Sequence, residues 1–175
     1  AGDRDVQTLS SELELCRKML VQCKTVLVVG LGEQILAIAS GGGSEAADLV
    51  FETTHARRVE PGALAGFLPE RFPHVVYMRD RPLLPSMAQV LAEDDVGRPA
   101  VFQVGSNALG FVGHPGFKTA MAEDLIMEFE EAPDDPAPEL QKMQGMMREI
   151  EDCLVPIMTG IIKVTGLMQT RLRVP

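Results

Sequence analysis

The chain has 175 residues, 46% of them hydrophobic, with charged side chains of both signs, which suits one globular domain with its own core. A net charge of -9 argues against wrapping a nucleic-acid backbone or docking on anionic lipid, since both need clustered Lys and Arg. Cys16, Cys23 and Cys153 are odd in number and form no CxxC, which argues against a disulfide framework or a cysteine zinc site.

Reduced, buried thiols fit a cytoplasmic protein, and Asp3, Arg4 and Asp5 open the chain without the apolar core of a signal peptide. The apolar stretch 26–39 is broken by Gly30, Gly32, Glu33 and Gln34, so no bilayer span is expected.

In chain order, Ser10 and Ser11 precede apolar residues at Leu13, Cys16, Leu20 and Cys23, the spacing of an amphipathic helix. Residues 26–29 can finish that helix or form a short strand. The continuous run 34–39 reads as a strand buried on both faces, as in a parallel sheet. Ser44 can cap a helix over about 44–57, with Ala47, Val50, Phe51 and Thr54 on one face. The stretch 61–73 is loop-rich, with one helical turn carrying Leu64, Phe67 and Leu68.

Residues 75–78 read as a second strand. Pro85 can open a helix ending near Glu93, with a turn at 94–99. Strands are expected at 100–104 and 109–112, a short helix at 118–125 and a fifth strand at 126–129. A long helix follows the acidic connector 134–138, with Leu140, Met143, Met147, Ile150 and Leu154 at helical spacing. Pro156 should kink or end it. The tail 161–174 can be a strand or a helix.

Strands alternating with helices predict an α/β fold: a three-layer sandwich with a mainly parallel sheet flanked by helices. Ligands of such sheets bind beyond the carboxyl ends of the strands. The expected edge is Ser40-Gly41-Gly42-Gly43-Ser44, where glycine lets amides approach a ligand and a helix N-terminus attracts phosphate. Gly30-Leu31-Gly32 lacks the third glycine and the immediately following helix of a dinucleotide fingerprint.

Gly42-Gly43-Ser44 followed by Ala46-Ala47-Asp48 resembles the glycine turn of the phosphoheptose isomerases, members of the SIS (sugar isomerase) family. Residues 101–107 resemble that family's phosphate-gripping strand and loop. Gly110-Phe111-Val112-Gly113 resembles its Gly-Phe-Thr-Gly strand, and Leu140-Gln141 the opening of its last helix. In order, these motifs run from about residue 12 to 158, as one SIS-like domain over 1–175. One βα piece is shortened between Ser106 and Gly110.

The resemblance implies a phosphorylated sugar held by Gly42, Gly43, Ser44, Arg79, Ser106, Asn107 and Gln141. Glu45 at the first turn would compete with phosphate, and Arg79 and Arg81 would compensate. The family's catalytic glutamate falls on Thr54, so Glu52, His55 and Glu149 are the catalytic candidates for proton transfer between sugar carbons. A third reading, an unrelated α/β binding domain whose glycine turns match by coincidence, stands beside the two that the resemblance carries: an aldose–ketose isomerase, or a non-catalytic SIS-like regulator or assembly partner. Both imply a homodimer or homotetramer, with no cofactor and no metal.

Overall fold

A computed structural model describes residues 3–128 and 133–167. The elements are α1 (Asp3–Val21), β1 (Val26–Val29), α2 (Leu31–Ala39), β2 (Gly43–Glu45), β3 (Val50–Arg58), β4 (Arg71–Met78), β5 (Arg81–Leu83), β6 (Ala88–Asp94), β7 (Pro99–Val104), β8 (Ala108–Phe111), α3 (Thr119–Glu128) and α4 (Ala137–Thr165). One 3₁₀ turn, Ala63–Gly66, buries Leu64 where a helical turn was expected.

The main sheet has the order β1-β8-β7-β6-β3-β4. Only β1 and β8 run parallel; every other pair is antiparallel. The α/β class holds, but the sheet is mixed rather than mainly parallel. Three misplaced segments explain the difference. Residues 34–39 lie in a helix, because α2 is packed on nearly every side and burial erases the period that separates helix from strand. Residues 50–58 form a strand, because Val50, Phe51, Thr53 and Thr54 favour the pleat and pair with β4 along its length. The helix expected after Pro85 is likewise the strand β6.

No βα piece is missing between Ser106 and Gly110. Residues 105–107 are the turn of a β7–β8 hairpin, with Gly105 at φ +60°. The helix α3 continues through 126–128, where a strand was expected, and residue 129 lies outside the described residues. The strands at 75–78, 100–104 and 109–112 and the long last helix stand where the sequence puts them. Pro156 does not end α4, which reaches Thr165. The tail 168–174 lies outside the described residues.

The helices α1 and α2 cover one face of the sheet, where Cys16 and Leu36 meet Phe102, Val104 and Val112. On the other face α4 brings Ile157 and Ile161 against Phe72, Val101 and Phe111, and α3 joins it over Phe51 and Val75. The antiparallel half curls strongly. Beyond β8, the Val112 amide donates to the Ala100 carbonyl and the His114 amide to the Val75 carbonyl on β4, the far edge strand. That curl makes a half-closed barrel with a hollow mouth. Among the described residues no helix is long and apolar enough to cross a membrane.

Candidate functional site

The residues expected to hold phosphate are dispersed. Gly42 follows the C-terminus of α2, the negative end of a helix dipole, and no helix begins at Ser44. A Cβ on Gly42 would lie 2.1 Å from the Leu83 carbonyl oxygen, so this glycine serves close packing on β5. Gly43 and Ser44 belong to β2, and the Ser44 hydroxyl donates to Gln34 Oε1 at 3.1 Å. Ser106 and Asn107 lie in the β7–β8 turn at the start of β1, the opposite end of the sheet from Gly30. Gln141 is exposed on α4. Arg79 ends up beside Gln34 and Asp80.

The catalytic set divides in two. Glu52 and His55 are three residues apart on β3, so they project from opposite faces of the strand. His55 Nε2 lies 3.1 Å from both carboxylate oxygens of Glu149 on α4. Glu52 instead accepts from Arg98 at 3.0 Å, and Arg98 also donates to Asp94. Asp94 is buried and desolvation opposes its charge. The Arg98 side chain and the Val96 and Arg98 amides outweigh that and hold its pKa below the usual carboxylate range.

The feature that the sequence reading passed over is Gly30. It stands between β1 and α2 with φ 59° and ψ -129°. A helix does follow it at once, contrary to expectation. Its amide donates to the Phe111 carbonyl at 3.0 Å, and its carbonyl accepts from the Glu33 amide at 2.9 Å. A strand turning sharply into a helix through one residue at positive φ is the geometry of a nucleophile elbow, which aims a side chain out over the sheet edge. The first amides of α2 are free of intrahelical acceptors there and suit a developing oxyanion. Gly30 supplies no side chain to this arrangement, although an added Cβ would meet no atom within 4 Å.

A cleft of about 380 Å³ opens beside the elbow. Leu31, Gln34, Tyr77, Arg79 and Asp80 line it. The Gln34 side chain is fixed at both ends, with Nε2 donating to the Asp80 carbonyl at 2.9 Å and Oε1 accepting from Ser44. The Tyr77 hydroxyl is buried without a hydrogen-bond partner among the described residues, and burial raises its pKa. His114 follows β8, which runs parallel to β1, so it leaves the sheet at the same end as Gly30. Its Nδ1 accepts from the Gly116 amide at 3.2 Å, and partial desolvation lowers its pKa.

No family model matches the chain, and no curated protein does. Solved structures do match. A glutamine amidotransferase from Thermotoga maritima shares 18% identity at a TM-score of 0.74, covering 93% of this chain and 72% of that one. A glutamine amidotransferase from Methylobacillus flagellatus shares 18% identity at 0.71, covering 89% of this chain and 69% of that one.

The fold is glutamine amidotransferase-like. At such identities the likeness concerns the fold alone. It overturns the SIS resemblance, and with it the isomerase and regulator readings, the phosphorylated-sugar partner and the homo-oligomer that the resemblance implied. The physical reason is the exchange of helix and strand at 31–58. A SIS-type phosphate turn needs a strand before Gly41 and a helix after Ser44, and here a helix precedes and a strand follows.

Proposed function

We propose that this chain is a binding domain of glutamine amidotransferase fold. It takes glutamine or a similar small amide into the cleft beside Gly30 and does not hydrolyse it. The observation that carries this reading is the glycine at the elbow. Hydrolysis through a covalent intermediate needs a nucleophilic side chain with a base in reach, and Gly30 has only hydrogen.

No cysteine replaces it. Cys16 is buried on α1, Cys23 is exposed just beyond α1, and Cys153 is on α4. Burial pushes the Cys16 and Cys153 thiols up, away from the reactive thiolate. The expectation of buried thiols therefore fits Cys16 and not Cys23.

The cleft retains what binding needs. Gln34 presents an amide held in one orientation, Tyr77 an unsatisfied hydroxyl, and Arg79 and Asp80 opposite charges near one another. A glutamine side-chain amide offers both donor and acceptor to such a site. The names of the two structural neighbours point to glutamine as the first ligand to try.

The test is calorimetric titration with glutamine beside an ammonia-release assay on the same preparation. Saturable binding with no ammonia above the blank is expected, with Gln34→Ala weakening binding at least tenfold. Ammonia release that disappears in His114→Ala would overturn the proposal, as would an absence of glutamine binding.

A further inference from the structure

The curled half of the sheet encloses a second cavity, of about 170 Å³, that the elbow cleft does not include. Its floor is one face of two paired strands. Val50 and Met78 are register partners, and so are Glu52 and Val76. Val112, on the segment that closes the curl, completes an apolar floor. The volume lies below the roughly 300 Å³ at which drug-sized sites begin, which suits a ligand of amino-acid size.

The charges at the two ends differ. At one end Arg98 is consumed by Asp94 and Glu52, so that cluster is internally neutralised apart from one carboxylate. His74 beside it is buried and stays neutral at physiological pH. At the other end Glu45 on β2 and Arg81 on β5 stand directly opposite each other in the two-stranded ribbon. Both line the cavity, yet neither side chain has a hydrogen-bond or ion-pair partner among the described residues. Opposite charges on directly facing residues normally pair. Here a carboxylate and a guanidinium flank the mouth of an apolar hollow without closing on each other.

We propose that this cavity binds an aliphatic L-amino acid. Its carboxylate would lie on Arg81, its ammonium on Glu45, and its side chain on Val50, Val76, Met78 and Val112. A zwitterion satisfies both unpaired charges at once and adds no net charge to an acidic lining. Arg recognises a carboxylate through two parallel N–H donors, and the apolar floor selects an aliphatic side chain over a polar one. This site shares Met78 with the elbow cleft and does not depend on what that cleft binds.

The test is a methyl NMR titration of the whole chain, valine-labelled, with L-leucine. Val76 and Val112 face this cavity and not the elbow cleft, so their methyl signals report on it alone. Saturable shifts of both are expected. Isoamylamine and 4-methylpentanoate, each lacking one of the two charges, should bind at least tenfold more weakly. Arg81→Gln and Glu45→Gln should each weaken leucine at least tenfold. No shift at millimolar leucine overturns the proposal, and so does leucine binding that survives both charge variants. Neither failure touches glutamine binding at Gln34.

Discussion

His55 on β3 sets its Nε2 midway between the two carboxylate oxygens of Glu149 on α4, at 3.1 Å from each. The contact ties the sheet to the longest helix on the face away from the Glu45–Arg81 cavity. The His55 side chain is 17% exposed and that of Glu149 43%, so solvent screens the pair. A double-mutant cycle of His55→Ala and Glu149→Ala should give a coupling of about 0.2–1 kcal/mol in stability. Glutamine affinity should be the same in both variants. A change in that affinity would bring these residues back into the binding site.

Glu33 follows the elbow by three residues and is fully buried, with both carboxylate oxygens unpartnered among the described residues. Burial pushes its pKa from 4.5 to about 8. The unfolded chain therefore releases a proton that the folded chain keeps between pH 4.5 and about 8. Stability is intact below that window and falls as pH rises through it. Glu33→Gln should raise Tm at pH 8 relative to the parent, with the gain vanishing near pH 4. Equal melting temperatures at pH 8 would mean that the carboxyl has a partner.

His74 works in the opposite direction. Burial lowers its pKa from 6.5 to about 4, despite the nearby Asp94 and Glu52 carboxylates. As pH falls from 6.5 towards 4 the unfolded chain takes up a proton that the folded chain refuses, so stability is lost on the acid side. In His74→Gln, thermal melts from pH 7 to pH 4 should show a shallower decline. A decline as steep as the parent's would assign the acid limb to other groups.

Gly30 has room for a side chain and the wrong backbone for one, at φ +59°. Gly30→Ala should cost about 1–3 kcal/mol, a drop of a few degrees in Tm for a chain of this length. Gly110→Ala fails for the other reason. Its Cβ would lie 2.6 Å from the Phe102 ring, which is fully buried. Overpacking of that kind costs about 1–3 kcal/mol. Adding Phe102→Leu should recover stability for Gly110→Ala and not for Gly30→Ala. Recovery in both would place strain at Gly30 in packing and not in φ.

The strands at 75–78, 100–104 and 109–112 and the long helix from Leu140 were legible in the sequence alone. Their apolar runs are bounded by turn residues, or their spacing is helical over many turns. The α/β class holds although two helices of the expected alternation, at 44–57 and after Pro85, are strands. Tertiary packing decided the rest. The helix α2 is buried on so many sides that its apolar run carries no period. The strand β3 draws its stability from β4 and β6, which lie outside its own sequence window. Those two segments exchanged identity, and the Gly42–Ser44 turn lost the helix N-terminus it needed. The elbow was illegible for a chemical reason: a glycine at positive φ carries no functional group, and its meaning comes from the strand before it and the helix after it. Local sequence determines which residues can be buried. Only the pairing of β2 with β5 and the curl of the main sheet bring Glu45 and Arg81 to one hollow, and only the strand conformation of β3 sets Glu52 and His55 on opposite sides.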